Sequence, residues 1–299
     1  MISYRKILKQ AWHTTKTNKF LWWYGLLLFF GMTINIGYGF SNDQTAKRIE
    51  SANVPAIDNF INQPWSGFIL IALICLWLFI YFQAKAGAIL AVKMITEKQP
   101  VSFWLTFGLA RNFITRLLGV SLFLQVLLGT LSIVITTPIF YLFSVGSPVR
   151  AIILAILGAL VFIPVAFLVS FANVISPLFL VIFNMPVFQG IRAAISVITE
   201  AWRKLLLFSL LLAGIGILAS ILGAIASSPF VILAVLSYHR EAQILGPVLS
   251  GLAGLVVFLS FQAVISAFQQ TAWVMFFMEL VKPEKIEEET VSVADSATQ

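Results

Sequence analysis

The sequence predicts an all-α fold: a polytopic bundle of six transmembrane helices, with cytoplasmic interfacial amphipathic helices before spans one, three and five. Three observations carry that prediction. Of the 299 residues, 60% are hydrophobic and only 10% are charged, whereas a soluble domain carries about a quarter charged residues. Six apolar runs reach or exceed the ~18 residues at which a spanning helix becomes the default reading. Threading those runs back and forth through a bilayer places fifteen of the 19 lysines and arginines on one side. Hydrocarbon tolerates only closed helices or a closed barrel, because unpaired backbone is too costly there, and these runs lack the ~10-residue alternation of barrel strands.

In chain order the runs cover residues 20–40, 65–92, 117–143, 149–174, 205–236 and 247–278. A basic stretch precedes the first run, as in a signal peptide. That run nevertheless exceeds the usual 7 to 15 residues of a signal-peptide core, and no small-residue cleavage site follows it, so it reads as a retained span. Several runs are longer than a bilayer requires, which calls for tilt, kinks or extension beyond the membrane. Pro164, Pro177 and the Ser227-Ser228-Pro229 step are the expected kink sites, since proline removes a backbone donor. Residues 1–282 form a single integral membrane domain on this reading. The loop 41–64, with Pro55 and Pro64, is expected to make short helices or turns outside. The tail 283–299, with Glu284, Glu287, Glu288 and Glu289, cannot bury a core and is expected to be disordered in the cytoplasm.

Orientation follows from the cations. Arg5, Lys6, Lys9, Lys16, Lys19, Lys85, Lys93, Lys98, Arg111, Arg116, Arg192, Arg203, Lys204, Lys282 and Lys285 gather on one side; Lys47, Arg48, Arg150 and Arg240 lie on the other. Positive residues favour the cytoplasmic side, so both termini are placed in the cytoplasm of an inner, cytoplasmic membrane. The cluster Trp22, Trp23 and Tyr24 suits the inner interface, and Trp65 the outer one.

Ahead of span one, Tyr4, Ile7, Leu8, Ala11 and Trp12 share one helical face, opposite Lys6, Lys9, Gln10, His13 and Lys16. Ahead of span five, Val187, Ile191, Ala194, Ile195, Ile198 and Trp202 oppose Gln189, Arg192, Ser196, Thr199, Glu200 and Arg203. Ahead of span three the division is weaker, with Phe103, Ala110, Phe113 and Ile114 against Gly108, Arg111, Asn112 and Thr115. Basic amphipathic helices lie in the headgroup plane and attract anionic lipid. Lys6, Lys9, Lys16, Arg111, Arg192, Arg203 and Lys204 are the candidate headgroup contacts. The pattern suggests a unit of amphipathic helix, span, outer loop and span used three times, though ordinary loops of similar composition would give the same pattern.

The chemical inventory is poor. The two histidines, His13 and His239, fall on opposite sides of the membrane, which removes histidine pairs and zinc-ligand spacings. No phosphate-binding lysine loop or dinucleotide glycine fingerprint occurs. All twelve carboxylates lie in loops, interfacial helices, span ends or the tail, whereas proton-coupled transporters keep a titratable group at membrane depth. The lone Cys75 rules out an intrachain disulfide and is expected to be a small core side chain. No catalytic, metal or cofactor residue is therefore assigned, no cofactor is expected, and the +7 charge reflects topology rather than a nucleic-acid partner.

Within the spans remain Gln83, Lys85, Gln125, Asn173, Gln262, Gln269 and Gln270, with Gln262, Ser266 and Gln269 on one helical face. The first six named, without Gln270, are the candidate lining of an inward-facing polar cavity. The plainer reading is interhelical hydrogen bonding, with Lys85 reaching toward the inner headgroups. Small-residue stripes at Gly216, Ser220, Gly223 and Ser227, at Ser250 and Gly254, and at Ala151, Ala155 and Ala159 mark close helix approaches, and spans five and six are expected to form a tight hairpin.

Three stretches carry a family resemblance: Gly87-Ala88-Ile89-Leu90, Pro100-Val101-Ser102, and Gly190-Ile191-Arg192-Ala193-Ala194-Ile195-Ser196 followed by Trp202-Arg203-Lys204. In these the chain resembles a broad group of bacterial six-span membrane proteins, which includes the membrane domain of some glycerophosphodiester phosphodiesterases and many stand-alone proteins without an assigned role. The resemblance implies an all-helical fold in a bacterial-type cytoplasmic membrane. It carries no activity across, because no matching catalytic residues are present. The sequence thus points first to a non-enzymatic multi-pass protein, an envelope scaffold or accessory subunit engaging anionic lipid or protein partners. Its alternative is a small-molecule or lipid transporter with an amide-lined cavity.

Overall fold

The computed structural model of the chain describes residues 3–37, 63, 65–239 and 245–281. The tail 283–299 and, apart from Gln63 and Pro64's neighbour Trp65, the loop 41–64 lie outside the described residues. The described chain is helical with no strand: α1 (Tyr4–Thr17), α2 (Leu21–Gly37), α3 (Ser66–Thr96), α4 (Phe103–Ala110), a 3-10 turn (Arg111–Phe113), α5 (Ile114–Ser144), α6 (Pro148–Ile182), α7 (Val187–His239) and α8 (Leu245–Leu280).

Five of these helical runs are long and apolar enough to cross a membrane, and in each the most apolar 18-residue window is only 6 to 17% buried. So much uncovered hydrocarbon is untenable in water, whereas lipid tails are its natural solvent. The chain is therefore a multi-pass, membrane-embedded helical protein. α2, at 17 residues, is apolar but shorter than a full span.

Local sequence explains where the helices stop. α3 ends with Lys98 in the left-handed region (φ 58°), and the Gln99 amide reaches the Met94 carbonyl at 2.9 Å, which satisfies an orphan C-terminal acceptor. α5 ends the same way at Gly146 (φ 75°), with the Ser147 amide on the Leu142 carbonyl at 3.0 Å. Pro148 then opens α6 at a position where a missing donor costs nothing. The resulting α5–α6 hairpin is close, the Gly158 face resting on Ile135.

Helical structure runs on through Pro138, Pro164, Pro177 and Pro229. In α7 the dihedrals depart from helical values at Ala201 (φ −116°, ψ 20°) and not at the expected Ser227-Ser228-Pro229 step. Pro229 cannot donate to the Ile225 carbonyl, and the Ser228 hydroxyl donates to that carbonyl at 2.8 Å. Ala201, by contrast, lies where a face-divided segment gives way to a uniformly apolar one.

The chain divides into two compact units. The first holds α1 to α4, α7 from Leu211 onward, and α8 as far as Phe276. In it α1 lies along the C-terminal third of α8. Tyr4 stacks on Phe276 at 6.2 Å and Trp12 meets Phe268 edge-on at 5.8 Å, and Thr15 pairs with Thr271. α2 packs so closely on α8 that a Cβ at Gly25 would overlap the Ala263 carbonyl. The second unit holds α5, α6, α7 up to Leu210 and the end of α8. There Phe179 meets Phe277 edge-on at 4.8 Å and Phe123 meets Phe188 at 5.9 Å, while Gly190 accommodates the Leu180 side chain.

Two placements differ from expectation. Cys75 is exposed rather than in the core, in a stretch, Ser66 to Leu76, that contains no buried residue. Of the aromatic cluster only Trp23 faces outward. Tyr24 is fully buried, and the Trp22 indole donates to the Thr15 carbonyl at 3.0 Å.

Candidate functional site

The chemistry-bearing side chains gather where the helices are best packed. In the first unit buried residues concentrate in α1, the start of α2, the Phe82–Val92 stretch of α3 and the Gln262–Phe276 stretch of α8. In the second they concentrate in the start of α5, the end of α6 and the start of α7.

α1 divides only in part, since Trp12 of the expected apolar face is exposed and Tyr4 and Leu8 are half-buried. Ile7, Ala11, Thr14 and Thr15 are buried, and Lys6, Lys9, Gln10, His13 and Lys16 are exposed. At the start of α7, Ile191, Ala194 and Ile198 are buried and Gln189, Arg192, Ser196, Thr199, Glu200, Arg203 and Lys204 are exposed, but Ile195 and Trp202 of the expected apolar face are exposed as well and Val187 is half-buried. Arg203 lies over the Trp202 ring at 5.2 Å, a contact that keeps the guanidinium beside an apolar platform. Arg111 is exposed in the 3-10 turn. All seven candidate headgroup contacts thus stand at the surface. Sequence reasoning did not single out Arg116. Its Nη1 donates to Asn184 Oδ1 at 2.7 Å, and Asn184 adopts the left-handed φ of 54° that asparagine tolerates.

The intramembrane amides fall in both units and behave differently. In the first, Gln83 is buried and donates to the Phe107 carbonyl at 2.9 Å, Gln262 donates to Ser220 Oγ at 3.2 Å, and Gln269 donates to the Leu212 carbonyl at 3.1 Å. Each bond joins two helices. The last two bridge α7 and α8, whose approach is also narrow at Gly216 beside Gln269, at Gly223 beside Phe261 and at Gly254 beside Phe230. Lys85 is half-buried in the same unit. In the second unit Gln125 is exposed and Asn173 half-buried. There the Ser176 hydroxyl is buried without a hydrogen-bond partner, although it precedes Pro177 just as Ser228 precedes Pro229.

Sequence reasoning also missed the polar lock on α4. The Tyr24 hydroxyl stands 2.8 Å from Thr106 Oγ1 and donates to the Phe103 carbonyl at 3.1 Å. A Cβ at Gly87 would come within 2.6 Å of the Tyr24 ring. The signal available in the sequence was Tyr24 itself, a polar aromatic between apolar neighbours, together with a glycine in the small-residue stretch of α3.

Among the described residues no cluster of three or more His, Cys, Asp or Glu is placed to hold a metal. No family model, curated protein or solved structure matches the chain.

Proposed function

We propose that this chain is a non-enzymatic six-span protein of a bacterial-type cytoplasmic membrane, an envelope scaffold or accessory subunit that holds anionic lipid at its basic end. α2 supplies the sixth crossing, both termini face the cytoplasm, and α1 and the start of α7 lie among the headgroups. One observation carries the reading: Lys6, Lys9, Lys16, Arg192, Arg203 and Lys204 are all exposed, while Ile7, Ala11, Ile191, Ala194 and Ile198 on the opposite faces are buried. Such cations gain about 1 kcal/mol each near an anionic surface. The family resemblance fits the same reading and supplies no activity. The transporter alternative is the weaker one, because Gln83, Gln262 and Gln269 are each engaged with a neighbouring helix.

The test is lipid co-isolation. Purified gently from membranes, the protein should retain phosphatidylglycerol or cardiolipin in excess over phosphatidylethanolamine, relative to the bulk membrane. A variant with the six cations changed to glutamine should lose that excess while staying folded. Equal retention by both proteins would refute the reading.

A further inference from the structure

The short helix α4 has the opposite polarity to α1. Its polar groups point inward: Thr106 is fully buried against Tyr24, and the Phe103 and Phe107 carbonyls accept from Tyr24 and Gln83. Its outward face is apolar, with Trp104 80%, Leu105 45% and Leu109 44% exposed, and α4 itself carries no charged residue. A helix of this kind gains nothing from facing water.

Its depth can be read from α3. Counted from Ser66 at 1.5 Å per residue, the ~30 Å of hydrocarbon ends near Lys85. Gln83 holds the Phe107 carbonyl at that level, and Gly87 with Tyr24 holds Phe103 and Thr106 about one turn nearer the basic end. α4 therefore stands at the boundary between acyl chains and headgroups, fixed there by two buried side chains.

We propose that Trp104, Leu105 and Leu109 insert as a wedge into the acyl-chain region of the leaflet at the basic end, so that α4 contacts lipid tails rather than anionic headgroups. The occupant of this face is the acyl region of a phospholipid leaflet. Its apolar surface matches the face, and the helix leads directly into the apolar run of α5. This goes beyond the headgroup reading and does not depend on lipid charge.

In a Cys75→Ala background, spin labels at Trp104→Cys, Leu105→Cys and Leu109→Cys would be compared with one at Lys9→Cys. The protein would be reconstituted in vesicles of phosphatidylcholine alone and of phosphatidylcholine with phosphatidylglycerol. The three α4 labels should collide more with dissolved oxygen than with a water-soluble nickel chelate, equally in both vesicle types, and the Lys9→Cys label should show the reverse preference. Nickel preference at residues 105 and 109 would place the face in water and overturn the proposal. Inaccessibility to both reagents would mean that protein covers it, and would overturn the proposal equally. Equal anionic-lipid retention by the wild type and the six-glutamine variant alongside oxygen preference at α4 would defeat the headgroup reading and leave the wedge standing.

Discussion

The two halves of α3 belong to one helix, yet their surroundings differ. From Ser66 to Leu76 nothing is buried; from Phe82 to Val92 nine residues are. The first half is built from Phe68, Ile69, Leu70, Ile71, Leu73, Ile74 and Leu76, the second around Ala84, Ala86, Gly87, Ala88 and Ala91. α8 repeats the contrast in burial, with Leu252, Leu255 and Val256 exposed and Ala263, Ala267, Phe268, Ala272 and Phe276 buried. In α3 the packed half is the one that is rich in small residues and that carries Gln83 and Lys85. Lipid tails are as apolar as leucine, so helices associate where small residues let backbones approach and polar groups meet.

That contrast is most easily broken at Gly25. An added methyl there meets the Ala263 carbonyl and the Ala267 backbone, neither of which can yield as a side-chain tip would. Gly25→Ala should destabilise the protein at or beyond the upper end of the about 1 to 3 kcal/mol typical of overpacking. Gly67→Ala, in the open half of α3 with nothing near its Cβ, should be neutral or slightly stabilising in the same detergent-unfolding assay, since alanine favours helix over glycine. Similar losses at both glycines would show that size does not govern packing here.

A smaller effect is expected at Gln269, whose amide bridges α8 to the Leu212 carbonyl. Gln269→Leu should cost about 0.6 kcal/mol, the average for an interhelical hydrogen bond in lipid, read as a modest shift in the same unfolding curve. A variant that unfolds like the wild type but loses a solute-dependent phenotype would return Gln269 to a ligand cavity.

Much of this architecture was legible in the sequence because membrane helices obey few constraints. The last four apolar runs fall within α5, α6, α7 and α8, the run 65–92 overlaps α3 and the run 20–40 overlaps α2, and five of the helical runs are long and apolar enough to cross a membrane. What escaped reading depended on contacts between segments distant in sequence. Cys75 was expected in the core because its run is apolar, but an apolar run is equally content against lipid. Tyr24 resembled an interfacial aromatic, and only Thr106, 82 residues away, shows why it is buried. Trp104, Leu105 and Leu109 were left out of the face assignment for α4 because its periodicity is weak, and the lock by Tyr24 and Gln83 decides which face turns inward. The amides could be counted from sequence, but their partners on other helices could not.

The central claim of the proposed reading is that α1 and the C-terminal end of α3, both in the first unit, lie on the cytoplasmic side. Single cysteines at Lys9→Cys and Lys98→Cys in the Cys75→Ala background, treated with a membrane-impermeant maleimide, test it directly. Labelling in inside-out vesicles and protection in right-side-out vesicles at both positions is the predicted result. Labelling of either position from the outside of right-side-out vesicles would contradict it.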